Sequence, residues 1–427
     1  MTTSAPPVPM SFRDVLQLDV MRRVWYAQVV SLLGDFLALF AVISVVSFHL
    51  HGTPAQVTGV QIAYMLPLAI LGPLSGVFVD RWQLKPTLVS SDLIRAGLVV
   101  LLLFSASLWQ IYAILVALSI VSSFFAPAQS VTIRNHVPPQ GLLSANALMQ
   151  IAMMGVRIIG PAAAGALVAA FGANLCYALD TVSFLASAAL IGTVAIARRE
   201  PVQRAEGASA NSRVHAVLHD MSEGMRFIVH HAALLFVVLA MAAGLFTIGC
   251  FGPLIAIYVR EWLHASSGVF GTVSAMVGVG LLVGTQGLRS VARRASNEVM
   301  VLAGLSGIGV GALLLGALPY VPAALFAMFT MGFAFAGIIV PAQTLMQQET
   351  PHALMGRVSS TVMSVVFFAQ LLGLILSGIL AQSMGVRAVF FACAVLAWVL
   401  AASGHLFLRP KADSRPGAAK AEAAGSA

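Results

Sequence analysis

Asp35 and Arg157 are the residues of this chain whose types and positions invite chemistry. Asp35 falls about 11 residues into an apolar run that begins at Val24, and Arg157 about 14 residues into another that begins at Leu143. At 1.5 Å per residue they stand roughly 16 and 21 Å along any helix built there. An isolated carboxylate in an apolar medium costs several kcal/mol or takes up a proton, whereas a guanidinium beside it keeps it charged. Such conditional ionisation lets one group accept and release a proton as its surroundings change. The expectation is that Asp35 is a protonation site and that Arg157 either tunes it or holds an anionic group of a ligand. A permanent ion pair tying the two helices together would satisfy the same residues.

Further polar residues recur at helical spacing. Gln28, Ser31 and Asp35 form one stripe, and Gln343 and Gln347 lie one turn apart. Asn146, Gln150 and Arg157 fall within about 40° of one another at 100° per residue. These stripes read as the lining of a water-accessible cavity, the alternative being interhelical hydrogen bonds of about 0.6 kcal/mol each. Asp92 and Arg95 are three apart near one end of their run and read as a structural charge pair. Asp180, about 8 Å into its run, divides between a capping role and a functional one. No phosphate-binding loop, nucleophile–base pair or metal-ligand cluster is visible, and Cys176, Cys250 and Cys393 lie far apart in apolar stretches. Neither an enzyme nor a bound metal or cofactor is expected.

The elements that must position these residues follow from composition. Of 427 residues, 59% are hydrophobic and 9% charged, and the mean hydropathy is +0.94. A soluble domain carries about 25% charged residues, so lipid is the solvent for most of this chain. Twelve runs reach the roughly 20 residues that span a bilayer: 24–48, 57–79, 87–108, 111–133, 143–171, 175–197, 232–258, 269–288, 299–318, 323–346, 358–384 and 388–408. Residues 1–20 are no signal peptide, because Asp14 and Asp19 interrupt any apolar core; a short interfacial helix is expected near Phe12–Val20. All but four of the 23 Lys and Arg residues fall on the face of the termini, the exceptions being Arg260 and Arg387 opposite and Arg95 and Arg157 within helices. The positive-inside rule places that face in the cytoplasm, the chain being a multi-pass protein of the plasma (inner) membrane. The net charge of +8 is then topology rather than a nucleic-acid site.

The sequence also repeats. Gly160, Gly165 and Gly172 align with Gly373, Gly378 and Gly385, and Pro138 with Pro351, at a constant offset of 213, close to half the length. Pro127-Ala128-Gln129 aligns with Pro341-Ala342-Gln343 at 214. The expected architecture is an all-α membrane protein of twelve transmembrane helices in two six-helix bundles related by a pseudo-two-fold duplication. Its parts are a cytoplasmic N-terminal segment (1–23), a first bundle (24–197), a polar linker ending in a short amphipathic segment (198–231), a second bundle (232–408) and a disordered tail (409–427). Two such bundles suit rocking about a central site reached alternately from each side.

Gly76-Val-Phe-Val-Asp80-Arg81-Trp-Gln-Leu84-Lys85, between the second and third runs, resembles the G-x-x-x-D-R-x-x-R-K signature of the major facilitator superfamily, with Leu84 in place of the usual Arg. The resemblance implies that Gly76 packs helices closely and that Asp80, Arg81 and Lys85 hold a gating contact between the halves. SLLGD (31–35), FFAPAQSVTIRNHVP (124–138), LSANAL (143–148), ALDTVSFLASA (178–188) and PAQTLMQQETPHALMGRVSS (341–360) are similar to the branch of macrolide-efflux and enterobactin-type siderophore exporters. That branch implies export of a small amphipathic molecule in antiport with protons, with the proton gradient as energy source; the expected partners are that small molecule and the lipid bilayer, a monomer being one open arrangement. A lysophospholipid carrier and a non-transporting sensor on the same scaffold are the alternatives.

Overall fold

In the computed structural model the described residues are 10–79, 82–195, 210–291, 296–351 and 354–407. They form fourteen α-helices and, among the described residues, no strand. A short helix α1 (Phe12–Gln17) opens the chain with a capping box, in which the Ser11 hydroxyl accepts from the Asp14 backbone and the Asp14 carboxylate accepts from Ser11. Those hydrogen bonds hold Asp14 below the usual carboxylate range. Six long helices follow: α2 (Asp19–Ser44), α3 (Pro54–Val79), α4 (Leu84–Leu102), α5 (Leu108–His136), α6 (Leu142–Phe171) and α7 (Ala173–Gly192). After α8 (Ala210–His230) come six more: α9 (Ala232–Glu261), α10 (Ser267–Val291), α11 (Asn297–Ala317), α12 (Val321–Glu349), α13 (Met355–Met384) and α14 (Val386–Phe407). Among the described residues, eleven helices are long and apolar enough to cross a membrane. The twelfth is α4, whose 19 residues include Lys85, Asp92 and Arg95.

The duplication holds in the structure to the residue. The helix starts Asp19, Pro54, Leu84, Leu108, Leu142 and Ala173 correspond, at the offset of 213, to Ala232, Ser267, Asn297, Val321, Met355 and Val386. Backbone exceptions repeat as well. Gly172 (φ 80°) ends α6 and Gly385 (φ 86°) ends α13, each in a region that side chains with a Cβ rarely enter. His51 (φ 50°) and His264 (φ 49°) take the left-handed conformation at matching points after the first helix of each half. Helix pairing is also shared. α2 packs on α6 and α7, α3 on α5, and α4 on α5 and α7; α9 packs on α13 and α14, α10 on α12, and α11 on α12 and α14.

The bundles meet along two symmetry-related seams, α6 against α10 and α3 against α13. Each seam rests on glycine. A Cβ on Gly165 would stand 2.6 Å from the Gly271 Cα, and one on Gly378 would collide with the Thr58 hydroxyl. Gly165 matches Gly378, and Thr58 matches Gly271, at the same offset, so one pair of positions makes both contacts. Close backbone approach of this kind drives helix association in lipid, where there is no hydrophobic effect between helices. Gly165→Val should therefore lower the thermal stability of the purified protein by about 1–3 kcal/mol, as overpacking does elsewhere. Gly172→Ala, which meets open space but a strained φ, should leave the seam intact.

Two boundaries differ from expectation. The first membrane helix begins at Asp19, because Asp19 accepts from Arg22 at 2.7 Å and Arg23 at 3.1 Å and continues the helix through the charged turn. It ends in a π-helical turn, Val45–His49. The amphipathic part of the linker is a helix of 21 residues, α8, docked on the second bundle. Ile228 is buried there, Gly224 lies against Arg357 and Thr361, and Glu223 pairs with Arg357.

Candidate functional site

Three helices of the first bundle bring four charges together. α2 supplies Asp35, α4 supplies Asp92 and Arg95 one turn apart, and α7 supplies Asp180 with Ser183 and Ser187 on the same stripe. α2 and α7 approach closely at Gly34, where a Cβ would collide with the Ser183 hydroxyl and the Asp180 carboxylate. Glycine next to Asp35 is thus what admits Asp180 to the cluster.

Arg95 is the hub. It pairs with Asp92, which also accepts from the Ser187 hydroxyl at 2.6 Å. Its second amino group, Nη1, faces Asp35 at 3.8 Å. The rings of Phe125 on α5 and Phe184 on α7 hold the guanidinium from two sides, at 4.4 and 4.3 Å from the ring centres. Its Nε is buried and finds no hydrogen-bond partner among the described residues. Asp92, Arg95 and Asp180 are buried, whereas the Asp35 side chain keeps 22% of its surface. Tyr64 of α3 lies within electrostatic reach of Asp35. Chemically, this is an acid–base network with one opening, at Asp35.

This geometry corrects the expected partnership. Arg95, not Arg157, is the cation beside Asp35. Arg157 projects from α6 with an exposed side chain and makes no ion pair among the described residues. Asp92 and Arg95 do pair, but near the middle of α4 rather than near its end, and they join Asp35 instead of standing alone. Of the expected stripes, Asn146, Gln150, Gln343 and Gln347 are exposed. Ser31 is buried and donates to the Gln28 carbonyl, so it lines no cavity. Gln28 accepts from the Gln129 amide at 2.6 Å, joining α2 to α5. Asp80 and Arg81 lie outside the described residues; Gly76 falls in the last turn of α3, and Lys85 is the second residue of α4.

The contacts between bundles described here cluster towards the face opposite the termini. Phe40 stacks on Phe270 at 5.1 Å, and Gln61 lies against Gly252. Arg260, at the end of α9, donates to the backbone carbonyls of Ser47 and, at 3.3 Å, Gly52. Exposed Asn146, Gln150, Arg157, Gln343 and Gln347 lie from mid-depth to the face of the termini. The contacts that join the bundles thus lie on the side away from the termini.

Twelve membrane helices in two like bundles have the architecture of a multi-pass membrane transporter. The Major Facilitator Superfamily pattern matches residues 24–373 and 245–426, and the chain belongs to that family. It is 29% identical over 383 residues to the uncharacterized MFS-type transporter YfiS of Bacillus subtilis, covering 87% of this chain and 88% of that one. It is 28% identical to the multidrug efflux pump Tap of Mycolicibacterium fortuitum (80% and 84% covered) and 26% to macrolide efflux protein A of Streptococcus pyogenes (85% and 90%). Its fold matches the crystal structure of a bacterial homologue of the human lysosomal transporter Spinster, with a TM-score of 0.67, 14% identity, and 95% and 98% of the two chains covered.

Proposed function

We propose that this protein exports small amphipathic molecules, of the macrolide or lipophilic-drug kind, across the plasma membrane in exchange for protons. Both termini lie in the cytoplasm in this reading, the proton gradient supplies the energy, and no bound cofactor takes part. The observation that carries it is Asp35, a partly exposed carboxyl group inside the first bundle, 3.8 Å from the buried Arg95. A proton taken up there weakens its attraction to Arg95; its release restores that attraction. Occupancy of the central site is thereby linked to the charge state of the bundle wall. In this reading Arg157, exposed at mid-depth, meets an anionic or hydrogen-bond-accepting group of the cargo. The named efflux relatives support the direction of transport.

The test is flux in proteoliposomes with a macrolide and a lipophilic dye cation as probes. Wild-type protein should move them against an imposed pH gradient, and Asp35→Asn should reduce gradient-driven flux to the protein-free rate while leaving exchange between equal probe concentrations intact. Coupling that survives in Asp35→Asn would remove Asp35 from the mechanism.

A second reading, movement of lysophospholipid, draws on an apolar groove of about 330 Å³ on the flank of the second bundle, walled by Leu239, Ala242, Phe246, Ala369, Leu396 and Val399. Competition of lysophospholipid with the macrolide would favour it.

A further inference from the structure

The buried network holds more acid than its single base can balance. Three carboxyl groups surround one guanidinium, so with every group ionised the cluster would carry two uncompensated negative charges in a low-dielectric interior. Asp92 takes the direct pairing with Arg95 and a donated hydroxyl from Ser187. Asp35 stands at 3.8 Å, beyond hydrogen-bond length. Asp180 is 1% exposed and has no cation in hydrogen-bond contact among the described residues; its side chain meets the Ser183 hydroxyl.

That hydroxyl is informative. Ser183 Oγ lies 2.7 Å from the Asp180 backbone carbonyl and 3.1 Å from Asp180 Oδ1. A hydroxyl has one proton and two lone pairs. Shared between these two oxygens, that single proton is the one side-chain hydrogen bond Asp180 receives among the described residues, and it brings no positive charge to the pocket. The unpartnered Nε of Arg95, 3% exposed, is the second sign. It is a buried donor left over in the same pocket, and a carboxylate that has given up its proton can fill it.

We propose that Asp180 is a second proton-binding group beside Asp35, so that the first bundle binds two protons, with Asp92 remaining the ionised partner of Arg95. Each carboxylate takes up one H⁺ to become the neutral acid and returns it unchanged, and no other bond forms or breaks. Protons reach Asp180 through Asp35, the carboxyl group of the cluster that keeps exposed surface, across the bare Gly34 backbone. The charged and titratable groups in electrostatic reach of Asp180 are Asp35 on α2 and Arg95 on α4, with Tyr64 on α3 sensing Asp180 in turn; Asp92 on α4 joins them through Arg95. The proposal rests on the proton-antiport reading for its purpose, but not for its test.

The test counts protonated carboxyl groups by infrared spectroscopy of the full-length protein in liposomes as the pH is lowered from about 8 to about 5.5, a range in which exposed carboxyl groups stay largely ionised. Two protonated-acid carbonyl bands are expected. Asp180→Asn and Asp35→Asn should each delete one, and Asp92→Asn neither. Ser183→Ala, which keeps the acid but removes the hydroxyl bonded to it, should shift one band without deleting it and serves if Asp180→Asn does not fold. A spectrum unchanged by both Asp180→Asn and Ser183→Ala overturns the proposal. Gradient-driven flux of the dye cation, measured in the same liposomes, separates the two readings. Flux with a single band leaves antiport standing and removes the second site. Two bands without flux do the reverse.

Discussion

Replacing Arg260 by alanine should raise the labelling of the far face by a membrane-impermeant thiol reagent roughly 10- to 100-fold. Arg260 is 15% exposed, pairs with the adjacent Glu261, and donates to the carbonyls of Ser47, in the π-helical turn that ends the first membrane helix, and of Gly52, just beyond it. A cation at the C-terminal end of a helix meets the negative end of its dipole. Hydrogen bonds of a charged donor are worth about 1.5–3 kcal/mol, and about 1.4 kcal/mol is a factor of ten in an equilibrium. Position 47 is itself the counterpart of 260 at the offset of 213, so the contact bridges positions related by the pseudo-two-fold axis, and the first half has serine where the second has arginine. One latch results rather than two. Thr58→Cys is a suitable reporter, because Thr58 is 1% exposed and sits in the α3–α13 seam that must part when the face opens. Arg260→Lys, which keeps the charge but not the fork, should fall between. Labelling of Thr58→Cys at the same rate with and without Arg260 would show that the latch does not hold the face shut.

The architecture was legible in the sequence because the features that report it act locally. A run of 20 apolar residues is a membrane helix almost whatever surrounds it. Gly172 and Gly385 mark two helix ends because their positive φ restricts what can stand there. Their spacing therefore carries the duplication. The partnership at the centre of the site was not legible. Periodicity fixes the angle between residues on one helix, but not which face of α2 meets which face of α4, α6 or α7. Arg95 and Arg157 lie at similar depth, and only the packing of α2 on α7 and α7 on α4 decides that Arg95 is the neighbour of Asp35. Ser31 fails for the same reason: it shares a helical stripe with Gln28 and Asp35, yet it is buried. Asp180 is visible as an acid within an apolar run, but nothing local places it beside Asp35; Gly34 in SLLGD signals a close approach without naming what approaches.

Arg95 is where the largest loss of stability is expected. Arg95→Met leaves Asp92, which has no exposed surface, with one serine hydroxyl and no counter-charge. Removing one partner of a buried pair typically costs about 3–5 kcal/mol, because the other charge stays behind unpaired. Removing both is different, since apolar replacements of similar volume are often neutral or better. Arg95→Met combined with Asp92→Leu should therefore recover most of the thermal stability that Arg95→Met loses. Transport separates the two roles of this residue. In the double variant Asp35 has lost its neighbouring cation, so gradient-driven flux should stay low even though the fold is restored. Arg95→Lys retains the charge but gives up the planar face that Phe125 and Phe184 sandwich, contacts worth about 0.5–2 kcal/mol each. It should be intermediate in stability and retain partial coupling. The thermal unfolding midpoints of the three variants in detergent, set beside their flux in liposomes, decide the matter: equal stability of Arg95→Met and wild type refutes the buried pair, and normal coupling in the double variant refutes Arg95 as the group that positions Asp35.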